Sequence, residues 1–282
     1  MSKYFNEAVR IRNSFAVSRE LTATTDVETP PQASETQTQR HLDPTRTTST
    51  FKAHHTPLSE IVNKVFAGSD SLIPTQEAFR ALRTRVLRLR TAQAFRSIVV
   101  TSSIQGEGKT LTSFNLAMSC AQLHDFPTLL IDSDIRTSGL SRLLGVSGET
   151  GLANVLNGTC EAADSILATS SPNLFFMPSG ETTIPSTELL ASGRWQELMS
   201  WCGREFQLVV VDSPPILDLT DVELISAACG GILMVVRAKV TRREALEKCS
   251  RHLDAKKLLG IVYNGAEGGR DEYQYSYSGT QR

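Results

Sequence analysis

Apolar positions follow two rhythms along this chain. From residue 97 onward, short unbroken apolar runs alternate with stretches in which apolar residues recur every three or four positions. The segments "RSIVVTSS", "TLLIDSD", "NLFFMPSG", "FQLVVVDSPP", "GGILMVVRA" and "LLGIVYN" read as strands. Between them, "KTLTSFNLAMSCAQL", "LSRLLG", "GLANVLNG", "STELLASGRWQELMSWCGR", "DVELISAAC" and "RREALEKCSRHLDA" read as helices. A strand that is apolar without alternation is one covered on both faces. Strands alternating with helices imply a parallel sheet. The pattern therefore predicts an α/β domain, three-layered as α/β/α, around a mostly parallel sheet.

The segment "PTQEAFRALRTRVLRLRTA" precedes the first strand. Pro74 suits a first helical turn, and Phe79, Leu82, Val86 and Leu89 recur at spacings of three and four, which predicts an amphipathic helix. Its other faces are basic, with Arg80, Arg83, Arg85, Arg88 and Arg90 against the single acid Glu77. Residues 18–56 are dominated by Thr, Ser, Gln, Pro and charge, too polar to offset the entropy of ordering. The expected organisation is a polar, largely disordered leader over 1–70, a domain over 71–265, and a flexible tyrosine-rich tail over 266–282.

Composition narrows the class. A net charge of −1 gives no sign of a nucleic-acid partner. Five cysteines are scattered and never form a CxxC pair, which points to free thiols in a reducing compartment rather than a disulfide framework or zinc site. The N-terminus lacks an apolar signal region, and no apolar run approaches the ~18 residues of a membrane span. A cytoplasmic location is expected.

The sharpest chemical signal is "SIQGEGKT", residues 103–110, a phosphate-binding loop of the Walker A kind between a strand and a helix. Gly106 and Gly108 allow backbone conformations that point N–H groups at phosphate oxygens. The helix N-terminus adds a favourable dipole. Lys109 reaches the β- and γ-phosphates, and the Thr110 hydroxyl suits Mg²⁺. Ser103 stands where the usual loop has glycine. Two further strands end in acids. "LLIDSDIR" places Asp132, Asp134 and Arg136 two residues apart, on one side of an extended chain. "LVVVDSPP" ends in Asp212, the position of the acid that organises Mg²⁺ in such folds. Strand C-termini are where open α/β sheets bind ligands.

These ordered motifs resemble the bacterial tyrosine kinase family, cytoplasmic autokinases that regulate export of capsular and exopolysaccharide. The resemblance spans about residues 74–277 and includes "EAFRALRTRV", "IPSTELLAS", "VVRAKVT", "LLGIVYN" and the tyrosine-rich end. Gln105 replaces the proline that usually precedes GEGK in the family. The resemblance implies a P-loop fold that uses ATP and Mg²⁺. Gly106, Glu107, Gly108, Lys109, Thr110 and Leu111 would hold the phosphates, while Arg237 and Asn264 border the adenine. Thr110, Asp132 and Asp212 would hold Mg²⁺, and Asp134 would orient or deprotonate the acceptor tyrosine. Tyr273, Tyr275 and Tyr277 would be the autophosphorylation sites. Glu77, Arg80 and Arg83 would bridge subunits of a ring. Since the chain has no predicted span, a separate membrane-embedded polysaccharide co-polymerase is expected to activate it and recruit it to the membrane. Two competing readings are a switch ATPase of the partitioning or septum-positioning type and a non-catalytic regulator of polysaccharide chain length. The former usually carries an extra lysine early in the loop, which "SSIQGEGK" lacks.

Overall fold

The computed structural model of the chain describes residues 52–53, 72–146, 148–217 and 220–266. Among the described residues eight strands form one sheet: β1 (Lys52–Ala53), β2 (Ser97–Ser102), β3 (Thr128–Asp132), β4 (Leu167–Ala168), β5 (Leu174–Met177), β6 (Leu208–Asp212), β7 (Gly231–Arg237) and β8 (Leu258–Asn264). Their order is β1-β4-β5-β3-β6-β2-β7-β8. Only the β4–β5 pair is antiparallel. Among the described residues the α-helices are α1 (Leu72–Gln93), α2 (Lys109–Ala121), α3 (Gly139–Leu143), α4 (Leu152–Leu156), α5 (Ser186–Ala191), α6 (Arg194–Glu205), α7 (Asp221–Ala228) and α8 (Arg243–Cys249).

The unbroken apolar runs are buried on both faces, as the sequence implied. Along β2, Ile98 and Val100 enter one core with Val86 of α1 and with Phe114, Leu116 and Cys120 of α2. Val99, between them, enters the opposite core with Leu152, Leu189, Trp195 and Ile225 of α4 to α7. The period of two thus sends neighbouring residues into different layers, and the three-layer architecture follows. Burying a large apolar side chain in such a core contributes about 1.5–3 kcal/mol.

The structure departs from the sequence reading in four places. The helix expected over 186–204 breaks in two, because Gly193 adopts φ 81 between α5 and α6. The helix expected from Arg242 onward stops at Cys249, where the Ser250 hydroxyl turns back onto the Glu247 carbonyl and turns follow. β4 has two residues, too few to show a period. β1, also two residues, lies within the segment read as leader and pairs with β4. Four of the five cysteines are buried free thiols, with Cys160 half-buried. Among the described residues no helix is long and apolar enough to cross a membrane.

Candidate nucleotide site

The site lies at the C-terminal ends of β2, β3 and β6. After β2 the chain enters the loop over 103–110 and turns into α2 at Lys109. Gly106 and Gly108 have φ of 84° and 95°, the left-handed region that glycine enters without steric cost. Gly108 is the N-cap of α2, and among the described residues no side-chain cap closes that helix end. Its first N–H groups therefore present the anion-binding arrangement the motif requires. A Cβ on Gly108 would come within 2.1 Å of the Asn264 amide nitrogen, so side-chain space there is closed as well.

Around this loop stand three acids. Asp132 and Asp212 are register partners across β3 and β6, exposed by 0% and 1%. The Asp132 Oδ2 accepts hydrogen bonds from the Ser141 N–H (2.8 Å) and hydroxyl (2.7 Å). The Asp212 Oδ1 accepts one from the Ser113 hydroxyl at 3.0 Å, and the Thr110 hydroxyl lies close enough to lower the pKa of this carboxylate. Burial pushes Asp212 up to about 7, opposed first by the charge of Lys109. Burial likewise pushes Asp132 up to about 6, opposed by its bonds from Ser141. Asp134 lies past the strand end, in the turn, where its Oδ1 accepts from the Thr137 N–H at 3.1 Å. Its other oxygen faces the Lys109 ammonium at 4.0 Å.

Two buried carboxylates on adjacent strands, with one lysine nearby, leave an excess of negative charge. Together with the Thr110 hydroxyl they form an oxygen-only donor set. Mg²⁺ takes such ligands, typically one or two carboxylates with the remaining positions filled by phosphates and water. The donor set fits that ion. No group of three or more His, Cys, Asp or Glu arranged to hold a metal by themselves occurs among the described residues.

The structure brings together Gly106, Glu107, Gly108, Lys109, Thr110, Asp132, Asp134 and Asp212. Arg237 and Asn264 join them from the ends of β7 and β8. The Arg237 guanidinium donates to the Gly106 carbonyl at 2.9 Å, and the Asn264 amide donates to the Glu107 carbonyl at 2.9 Å. Leu111 is exposed at 41% on the first turn of α2. Arg136 leaves the group: past Asp132 the chain is no longer extended, and the guanidinium bonds Ser186 (3.0 Å) and Asp221 (3.4 Å) instead. On α1, Glu77 and Arg80 pair with each other on an exposed face, while Arg83 donates to the Ser119 carbonyl of α2 at 2.6 Å. Tyr273, Tyr275 and Tyr277 lie outside the described residues.

Ser113 and Ser141, which fix the two acids, escaped the sequence reading. Ser113 stands one helical turn after Lys109, a spacing that would have placed it on the face of α2 toward the site. Nothing local marks Ser141.

No protein-family model matches the chain. The tyrosine-protein kinase CpsD of Streptococcus agalactiae is 34% identical over 193 residues, covering 67% of this chain and 83% of that protein. Among solved structures, the kinase domain of the Escherichia coli tyrosine kinase ETK aligns with TM-score 0.63 and 29% identity, over 72% of this chain and 80% of that one. The septum site-determining protein MinD of Pyrococcus horikoshii, solved with Mg-ADP, aligns with TM-score 0.51 and 22% identity, over 60% of this chain and 68% of that one, and so shares the fold. With its phosphate loop, paired strand-end acids and this degree of identity over most of a curated relative, the chain belongs to the bacterial tyrosine-protein kinase family.

Proposed function

We propose that this protein is an ATP- and Mg²⁺-dependent tyrosine autokinase that acts on its own C-terminal tail and regulates capsular or exopolysaccharide synthesis and export. The observation that carries this reading is the placement of Lys109, the strand-end acids Asp132 and Asp212, and Asp134 just beyond β3 around one loop whose helix N-cap is glycine. Phosphoryl transfer needs positioning and charge neutralisation more than covalent chemistry. The loop amides and Lys109 hold the β- and γ-phosphates, and Arg237 and Asn264 border the base. Thr110, Asp132 and Asp212 hold Mg²⁺, which when bound offsets the charge on the phosphate oxygens. Asp134 accepts the proton of the incoming tyrosine hydroxyl, which at its usual pKa of about 10 needs an acceptor.

The acceptors in this reading are Tyr273, Tyr275 and Tyr277, presented to the site of a neighbouring subunit. The exposed Glu77–Arg80 pair forms the outward part of a ring contact, with Arg83 holding α1 to α2 behind it. A separate membrane-embedded co-polymerase activates the kinase and recruits it to the inner membrane face.

The purified chain, incubated with an activator segment, Mg²⁺ and labelled ATP, should carry phosphate on the peptide spanning 273–277 by mass spectrometry. Lys109→Met should abolish it. Label recovered only as free phosphate would favour a switch ATPase, and unchanged nucleotide binding without any phosphotyrosine would favour a non-catalytic regulator.

A further inference from the structure

The turn joining β7 to α8 is strained and over-determined. Lys239 has φ 62°, the left-handed region that side-chain-bearing residues rarely enter. Four bonds hold it there. The N–H groups of Val240 and Thr241 donate to the Arg237 carbonyl at 3.2 and 3.0 Å. The Ala238 N–H donates to the Asn264 carbonyl at 2.8 Å, and the Arg237 N–H donates to the Thr241 hydroxyl at 2.8 Å. Strain maintained in this way tends to mark clamps and switches.

What the turn grips is the phosphate loop. Because the Thr241 oxygen already accepts from the Arg237 N–H, its hydroxyl proton is directed outward, and it donates to the Glu107 carboxylate. Glu107 has no exposure and lies between the two positive-φ glycines. Its second oxygen accepts from the Ile104 N–H at 3.0 Å, at the start of the same loop. An acid in the middle of a phosphate loop would repel the ligand if it faced the cradle. Here the charge is turned inward, and each oxygen meets a donor. The carboxylate ties the beginning of the loop to its apex and both to the β7–α8 turn.

We propose that Thr241 is a positioning residue for nucleotide binding, holding the phosphate loop in its ligand-ready shape through the buried side chain of Glu107. This role rests on reading residues 103–110 as the phosphate cradle. It differs from the contacts of Arg237 and Asn264, whose side chains donate to backbone carbonyls of the loop, because it acts through the side chain of Glu107.

The test uses the full chain and three readouts: the dissociation constant of a fluorescent ATP analogue with Mg²⁺, amide hydrogen exchange across 104–108, and the melting temperature. Thr241→Val should weaken binding about tenfold, the loss of roughly one partly buried charge-assisted hydrogen bond. It should also speed exchange across 104–108. Thr241→Ser, which keeps the hydroxyl, should restore both. In a Glu107→Ala background Thr241→Val should add nothing, since one link is broken in either case. Unchanged exchange across 104–108 in Thr241→Val overturns the latch whatever the affinity does. A lower melting temperature that Thr241→Ser fails to correct, with affinity unchanged, overturns it too. If the wild-type chain binds no ATP analogue, the phosphate-cradle reading fails and takes the nucleotide role of Thr241 with it.

Discussion

Asp132 and Asp212 occupy matched positions on β3 and β6, side by side and buried at the floor of the site. Each is held by a serine hydroxyl, Asp132 by Ser141 and Asp212 by Ser113, and each is raised above the ordinary value of 3.8. A pair like this destabilises the ligand-free fold when ionised and suits a divalent cation when one is bound.

The pH dependence follows with a definite sign. Between about pH 4 and about 7 the folded state binds more protons at these two groups than the unfolded chain does. Their contribution to stability is therefore greatest below the unfolded value and falls as pH rises through this window, levelling off above about 7. Asp212→Asn removes its share. The variant should melt higher than wild type at pH 8 by about 1–3 kcal/mol equivalent and show little difference near pH 4, while losing Mg²⁺-dependent affinity for ATP. Thermal melts across pH 4 to 8 check the sign, and a gap that widens toward acid would contradict it.

Gly108 faces two obstacles to substitution, a φ of 95° and the Asn264 amide 2.1 Å from any Cβ. Gly108→Ala should weaken nucleotide binding by at least about tenfold and lower stability by about 1–3 kcal/mol. Adding Asn264→Ala should recover part of the loss in stability by opening space. ATP titrations and melts of the single and double variants measure that coupling.

Trp195 is fully buried in α6, and its ring N–H donates to the Ile225 carbonyl at 3.1 Å. Ile225 lies in the last turn of α7, where carbonyls lack partners within the helix. The Lys257 ammonium serves the same end through the carbonyls of Ser226 and Ala227. Trp195→Phe keeps most of the packing but leaves a buried acceptor unpaired, at a cost of about 1–3 kcal/mol. Chemical denaturation should show this loss with ATP affinity little changed.

Arg136 belongs to a different network from the one its spacing suggested. Asp221, almost fully buried, accepts from Arg136, Ser186 and Thr187 and joins α5 and α7. Arg136→Ala should lower stability by about 1 kcal/mol, since the guanidinium is half exposed and its neighbours still serve the carboxylate. ATP affinity should stay within about twofold of wild type, and a larger drop in isothermal titration would place Arg136 back at the site.

The sequence by itself determined the features that depend on neighbours along the chain. Alternation of apolar runs with helical periods fixed the fold class, because each period suits only one backbone geometry. The loop over 103–110 was legible because its glycines, lysine and threonine fall within a few residues of one strand–helix turn. Strand-end acids were legible because strands and ends were. Helix continuity through Gly193 was misread, since a glycine can sit within a helix or end it and only its φ of 81° decides.

Tertiary structure alone decided what meets across the chain. The strand order put β6 between β2 and β3, so Asp212 faces Asp132, 80 residues away in sequence, and Ser113 reaches it from α2. The same order brought Thr241 to Glu107 and Asn264 to Gly108, and sent Arg136 to Asp221. No local period carries that information: a strand's place in the sheet reflects which faces must be covered and which crossovers are allowed.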